Sequence, residues 1–438
     1  MEPTLIGGLV ALATILVLTT GIPVAFGLGI VSIGFLVLFE GLDSLSVLAD
    51  TFFAGIAEFS LVSIPMFIVM GTAVAVSPAG RDLYAALDRW LNKVPGGLII
   101  SNIGACSIFA ALSGSSPATC SAIGRMGIPE MQSRGIPDGL ATGSIAAGGT
   151  LGILIPPSVT MIVYGIATET SIGRLFLAGM LPGLMLTALF MAWSLFTAWR
   201  NGFRLTGPDI SFTLRQKVEI LPRVLPFLLI IVGVLFVLYG GVATPSEASG
   251  VGAMLVLVLI AVIYRIWQPR RIWSIISDSM RESAMILMII AASALFSYML
   301  SSLFVTQTVA QAIADSEVNR WVLMLLINVF LLVAGFFLPP VAVILMTAPI
   351  LLPIVTQAGF DPYWFAVVLT INMEIGLITP PVGLNLYVIN GIAPKVSLPT
   401  ILKGALPFML CMVVGIILLC IFPEIATWFP DYIMGPGF

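Results

Sequence analysis

Histidine is missing from this sequence altogether, lysine occurs four times, and charged residues of every kind fill only 9% of its 438 positions. Without histidine, a Ser-His-Asp triad, a His-based relay and a His-Glu-x-x-His metalloprotease site are all excluded. None of the four lysines closes a Gly-x-x-x-x-Gly pattern, so there is no phosphate loop for ATP hydrolysis. Basic runs of the kind nucleic acid needs are also lacking, and the formal net charge is −3. The four cysteines, Cys106, Cys120, Cys411 and Cys420, lie in apolar stretches without metal-type spacing and read as small buried hydrophobes. Neither an enzyme nor a nucleic-acid-binding protein is expected.

What the chain has in abundance is apolar surface, with 59% hydrophobic residues and a mean hydropathy of +1.13. No water-soluble globule hides that much, so lipid must be the solvent. Crossing a hydrocarbon core of roughly 30 Å takes about 20 apolar residues. Such segments recur at 3–20, 24–39, 61–76, 137–168, 175–199, 222–240, 248–267, 283–303, 362–392 and 400–422. The start, Met1-Glu2-Pro3, has an acid and no basic residue, unlike a cleavable signal peptide, so the first segment is expected to remain as a helix. Amphipathic stretches at 80–94, 270–282 and 306–319 are read as interfacial helices or plain connectors.

Two further apolar runs, 96–136 and 321–359, each hold two short half-spans around a tip, Gly114-Ser-Ser-Pro117 and Leu338-Pro-Pro340. Both are read as re-entrant hairpins, tolerated at membrane depth only where protein or a watery cavity satisfies the backbone. Charge fixes the orientation, since short cytoplasmic loops collect Lys and Arg. One side receives Arg81, Arg89, Lys93, Arg200, Arg204, Arg215, Lys217, Arg223, Arg265, Arg270, Arg271, Arg281, Lys395 and Lys403. The other receives Glu40, Asp43, Asp50, Glu58, Glu247, Asp315, Glu317, Glu424 and Asp431 against Arg174 and Arg320. A multi-pass protein of a bacterial inner membrane is expected, with both termini periplasmic.

The halves of the chain repeat at an offset near 224 residues: 129–135 matches 353–359, and 152–157 matches 376–381. Gly165-Ile-Ala167 matches Gly391-Ile-Ala393, and Leu181-Pro182 matches Leu406-Pro407. The expected division is a first repeat over 1–199 (hairpin 96–136, broken helix 137–168), a cytoplasmic linker over 200–221, and a second repeat over 222–438 (hairpin 321–359, broken helix 362–392). Five crossings and one hairpin per half turn the second copy upside down, as in secondary carriers. The fold class is therefore an all-α polytopic membrane protein with an inverted-topology repeat, two re-entrant hairpins and two broken helices.

Four segments should then meet near the bilayer centre: the two tips and the breaks at Pro156-Pro157 and Pro380-Pro381. Proline removes donors and frees carbonyls, which are hard ligands for Na⁺, while half-helix N-termini favour a carboxylate. Ser113, Ser115, Ser116, Thr119, Ser158, Thr160, Thr347, Thr379 and Asn385 add polar groups. A plainer reading is that Pro and Gly kink membrane helices while Ser and Thr serve packing. Arg125 is a candidate for meeting a substrate carboxylate or for pairing with Glu130. Glu374 is a candidate cation ligand, proton carrier or partner of a basic group.

The runs Ser113-Gly-Ser-Ser-Pro-Ala-Thr119, Gly124-Arg-Met-Gly-Ile-Pro-Glu-Met131, Gly149-Thr-Leu-Gly-Ile-Leu-Ile-Pro-Pro-Ser158 and Thr379-Pro-Pro-Val-Gly-Leu-Asn385 closely resemble the large membrane subunit of tripartite ATP-independent periplasmic (TRAP) transporters. The resemblance covers essentially the whole chain. It implies Na⁺-coupled symport of a carboxylate-bearing solute, delivered by a soluble periplasmic binding protein, through an elevator motion of the ion-transporter-superfamily kind. A small membrane subunit is implied as well, here as a separate chain because no N-terminal extension is seen. By resemblance, Ser113, Ser115, Gly149 and Pro156 would form one Na⁺ site, and Pro339, Val343, Gly376 and Thr379 the other; the second tip lacks the hydroxyls of the first. Ser116, Thr119, Arg125, Ser158 and Asn385 are the candidate substrate-binding residues. The alternative is a binding-protein-independent anion carrier on the same scaffold, proton-coupled through Glu374. No organic cofactor is expected.

Overall fold

The computed structural model describes residues 2–91, 96–200, 212–315 and 318–436. Lys93, Arg204 and Glu317, used in the charge count above, lie outside them, as does much of the 200–221 linker.

Helices α1 (Pro3–Thr19) and α2 (Val24–Glu40) form an apolar hairpin. Proline opens α1, in a turn whose N–H groups have no intrahelical partner anyway. A short 3₁₀ turn leads to α3 (Leu48–Ile56), and α4 (Ser63–Val76) and α5 (Ala79–Leu91) follow. The first re-entrant hairpin is α6 (Gly97–Ser113) with α7 (Ser116–Ser133). The first broken helix is α8 (Asp138–Thr150) with α9 (Val159–Ala167), and α10 (Ile172–Arg200) closes this half. The second half runs α11 (Leu214–Glu219), α12 (Leu221–Tyr239), α13 (Pro245–Tyr264), α14 (Pro269–Ser302) and α15 (Val305–Asp315). Its hairpin is α16 (Arg320–Phe337) with α17 (Pro340–Gln357), and its broken helix is α18 (Pro362–Leu377) with α19 (Leu384–Ile392). Helices α20 (Leu398–Ile421) and α21 (Glu424–Met434) end the chain.

Among the described residues, eight helical stretches are long and apolar enough to cross a membrane. Local chemistry explains several starts. Asp361 caps α18 by accepting from the Tyr363 and Trp364 N–H groups, both at 2.8 Å. Thr244 and Glu247 form a capping box at α13. Two sequence readings are corrected. The stretch 270–282 is not a separate interfacial helix, because it continues without a breaker into the crossing at 283–303 as the single helix α14. Helices α3 and α21 were not anticipated; both are short and amphipathic, so they lack the apolar length that marks a crossing.

The helices pack in two groups. Helices α2, α3, α4, α13 and α14 form one wall, and α8 lies at the heart of the other, against α6, α7 and α20. The approach of α8 to α20 is close because Gly139 and Gly143 face Gly404; a Cβ at Gly404 would overlap the Gly139 carbonyl. Helix α5 is tied to both groups. Its Asp82 accepts from the Tyr264 hydroxyl of α13 (3.2 Å), while its Asp88 pairs with Arg134 beyond α7 (3.2 Å). Arg134 also takes Glu130, four residues earlier at 2.6 Å, which corrects the Arg125–Glu130 pairing: an i,i+4 step puts two side chains on one face, and five residues do not. Arg134→Ala strands the buried Asp88 carboxylate. The expected cost is about 2 kcal/mol, discounted for partial exposure, and is read as an earlier thermal transition of the purified chain in detergent.

Candidate functional site

The first tip is closed by Gly114, whose φ of +59° caps α6 in the left-handed region that suits glycine. The Ser113 hydroxyl lies 2.9 Å from that of Thr119, which donates to the Ser115 carbonyl at 2.9 Å. Ser115 sits at the N-cap of α7. At the first break the chain leaves α8 through a 3₁₀ turn, passes Pro156-Pro157 as a cis peptide, and re-enters helix at Ser158. The Ser158 hydroxyl donates to the Ile153 carbonyl (2.5 Å) and accepts from the Met161 N–H (3.2 Å), so it is spent on holding the break. Glycines let tip and break touch. A Cβ on Gly152 would fall 2.6 Å from the Ser115 carbonyl oxygen, and one on Gly149 would run into the Cys120 thiol.

The second half repeats this arrangement with other groups. Pro380-Pro381 is also a cis peptide. The Thr379 hydroxyl donates to the Ile375 carbonyl at 2.5 Å, and the Val382 N–H reaches back to the Phe336 carbonyl on the hairpin arm at 3.3 Å. Gly376 presses on the backbone of Gly335. Pro339 is exposed at the tip, and Val343 is buried one turn into α17.

The halves are joined at Ser116. Its hydroxyl donates to Glu374 Oε2 (3.3 Å) and accepts from Asn385 Nδ2 (2.8 Å), and Asn385 also donates to the Ala146 carbonyl (3.4 Å). All three side chains are buried.

Both tips and both breaks line one cavity of about 340 Å³. Ser113 to Ala118 enter from the first tip and Pro339 to Val341 from the second; Ile153, Val159 and Thr160 come from the first break, and Leu377 and Leu384 from the second. The opposite wall is α4, through Ile68 and Thr72, and α14, through Glu282, Met285 and Ile289. The N-termini of α7, α9, α17 and α19 all reach this space, bringing unpaired N–H groups and positive dipole ends. No Lys or Arg is among the lining residues.

Of the candidate substrate residues, Ser116 reaches the cavity, while Thr119 and Ser158 lie buried behind it with their hydroxyls bonded to protein, and Asn385 is buried there with its Nδ2 bonded and its Oδ1 without a partner. Arg125 is exposed on the outer face of α7 and does not line the cavity. Among the candidate Na⁺ ligands, Ser113, Ser115 and Pro339 line the space; Gly149, Pro156, Val343 and Gly376 are buried near it, and Thr379 is half-buried. Sequence reasoning missed the α4 and α14 wall. Glu282 followed a charged amphipathic run and looked interfacial; the unbroken apolar phase into 283–303 was the signal that it belongs to a crossing.

A second cavity, about 790 Å³, lies further along the same helices, lined by Glu58, Glu169, Thr170 and Ser297 among others. On its wall, the Ser293 hydroxyl of α14 donates to the Leu345 carbonyl of α17.

An all-α membrane bundle whose two hairpins and two broken helices converge on one central cavity is the architecture of a secondary-transporter permease. The chain is similar in fold to the YdaH transporter of Alcanivorax borkumensis, with a TM-score of 0.67 over 90% of this chain and 91% of that one at 14% identity. Residues 11–425 match the family described as tripartite ATP-independent periplasmic transporter, DctM component, and the chain belongs to that family. It is 35% identical to the C4-dicarboxylate TRAP transporter large permease protein DctM of Pseudomonas aeruginosa, over 89% of this chain and 91% of that protein. It is 33% identical to the isethionate TRAP transporter permease protein DctMQ of Oleidesulfovibrio alaskensis, over 94% of this chain and 65% of that longer protein.

Proposed function

We propose that this permease imports a small carboxylate-bearing solute by Na⁺ symport, through an elevator motion of the hairpin-bearing group against the α4–α14 wall. The observation that carries the reading is the 340 Å³ cavity, where four helix N-termini converge and supply the positive ends for an anion in a space that no Lys or Arg lines, with the Glu282 carboxyl on the opposite wall. The unwound breaks leave carbonyls next to the tip hydroxyls, a hard-oxygen donor set suited to Na⁺. On this reading Ser113, Ser115, Gly149 and Pro156 hold one Na⁺, and Pro339, Val343, Gly376 and Thr379 the other. Ser116 faces the solute, with Thr119, Ser158 and Asn385 supporting it. Arg125 joins only in a conformation that brings α7 to the cavity.

The motion has a track. Residues 282–289 of α14 face the smaller cavity and residues 290–297 the larger, so sliding the tips along α14 carries the bound solute from one to the other. Charge counting puts the larger cavity, with Glu58 and Glu169, at the periplasmic side of an inner membrane, together with both termini. There a soluble binding protein delivers the solute. A small membrane subunit is the third component; the isethionate relative named DctMQ is a longer permease. The relatives' names span a dicarboxylate and a sulfonate, so the solute class extends to small organic anions. At 100 mV, one net charge entering supplies about 2.3 kcal/mol for accumulation.

The test is uptake into proteoliposomes holding this chain with its small subunit, with binding protein and Na⁺ each added or withheld. Uptake is expected only with both. Ser113→Ala should raise the Na⁺ concentration for half-maximal uptake about tenfold, the worth of one good oxygen ligand. Uptake by the chain alone, indifferent to Na⁺, refutes the scheme and favours the binding-protein-independent carrier.

A further inference from the structure

Both cavities are bare of basic side chains: no Lys or Arg lines the smaller one, and none lines the larger. Each instead carries a carboxyl on its wall. Glu282 of α14 faces the smaller cavity, and Glu58, between α3 and α4, faces the larger. Neither side chain is in an ion pair among the described residues. Arg281 precedes Glu282 in the chain but is not a lining residue, since neighbouring positions on a helix do not face the same way. Across the smaller cavity from Glu282 lie the N-termini of α7, α9, α17 and α19. Thr160, in the first turn of α9, lines that space with 2% of its surface exposed, and its hydroxyl makes no hydrogen bond to the described residues. A donor enclosed by protein is thus left for something inside the cavity. One end of the space suits an anion, and the other suits a cation.

The geometry points to a zwitterionic solute, whose carboxylate meets the Thr160 hydroxyl and the helix N-termini while its cationic nitrogen meets Glu282. The inference rests on the symport reading above and names its solute class. A second carboxylate on the solute would be set against Glu282 with no Lys or Arg lining the space, a like-charge contact of the kind that rejects a wrong partner. A cationic nitrogen is matched there by a charge-assisted hydrogen bond. Because Glu282 and Glu58 both belong to the wall, a carboxyl awaits the nitrogen at each end of the stroke. The solute's own carboxylate travels with the tips and breaks. Glu282 is therefore a specificity-determining residue, separate from the two Na⁺ ligand sets.

The test is equilibrium binding of radiolabelled solutes to the chain with its small subunit in lipid nanodiscs, with Na⁺ present or absent. Binding protein is left out, so that the selectivity read is that of the cavity. β-Alanine and γ-aminobutyrate are compared with propionate and butyrate, which lack the nitrogen, and with malonate and succinate, which carry a carboxylate in its place. In Na⁺, at least one of the two amino acids is expected to bind about tenfold more tightly than its monocarboxylate, with the dicarboxylate weakest. Glu282→Gln should remove that preference, and Glu282→Lys should turn it toward the dicarboxylates. Glu282→Asp, shorter by one carbon, should shift the balance from β-alanine toward γ-aminobutyrate, which a merely structural role would not do. Na⁺-dependent binding with no preference for the nitrogen, or a preference untouched by Glu282→Gln, overturns the zwitterion and leaves the Na⁺ reading standing. Equal weakening of every solute by Glu282→Gln, repaired by more Na⁺, also overturns it and makes Glu282 a Na⁺ ligand. Binding indifferent to Na⁺ overturns the symport reading instead, and binding of no carboxylate overturns both.

Discussion

Gly376→Ala is expected to bring solute uptake down to background while the protein still inserts in the membrane. The added methyl group has nowhere to go, since its ideal position overlaps the carbonyl of Gly335, part of the hairpin arm's backbone, and backbone cannot rotate aside. Overpacking of this kind costs typically 1–3 kcal/mol. Here the cost falls on the seam between the second hairpin and the second break, so the expected loss in initial rate is at least tenfold, because each 1.4 kcal/mol is a factor of ten. Gly152→Ala makes the same test in the first repeat, where the methyl meets the Ser115 backbone at 2.6 Å. Gly233→Ala on α12 is the control, since nothing lies within 4 Å of its Cβ position. Initial uptake rates normalised to membrane-inserted protein check the set. Rates for the 376 and 152 variants equal to that of the 233 variant would contradict tight seating of tips on breaks.

Arg174→Ala is the second large effect, and it falls on stability. Arg174 is buried, and its guanidinium donates to Asp431 at 2.8 Å and to the carbonyls of Met434 and Gly435 while lying over the Tyr363 ring. It is thus the clasp that holds α21 on α10 and α18. Hydrogen bonds to charged groups are worth about 1.5–3 kcal/mol each before exposure of the partner is discounted, and Asp431 is nearly half exposed. A loss of about 3 kcal/mol is expected, seen as a lower thermal transition and as earlier protease cleavage before α21. Arg174→Lys should recover little, because a single ammonium cannot span three acceptors in the guanidinium's fork geometry.

The architecture was legible because membrane backbone obeys a strict rule: broken or re-entrant segments must be satisfied by protein, so Gly, Ser and Pro at membrane depth mark them. Ser115-Ser116-Pro117 and Pro380-Pro381 stand out against long apolar runs for that reason. Helix α14 was divided in the sequence reading because charge on Arg270, Arg271 and Arg281 outweighed its continuous helical phase. Arg125 drew attention through the cost of a charge in lipid, yet five residues from Glu130 it points outward, and Arg134 takes the acid instead. Glu282 was hidden because a cavity-facing carboxylate and an interfacial one look alike in a string of letters.

The sequence by itself determined that the chain lives in lipid and where its helices must bend, because hydropathy and proline act locally. Only the tertiary structure decided that Ser116 bridges Glu374 and Asn385, 258 and 269 residues away, and that α4 and α14 complete the cavity. Those contacts depend on which helix faces pack together, a choice made by close approach at glycines such as Gly152 and Gly376 rather than by any local preference.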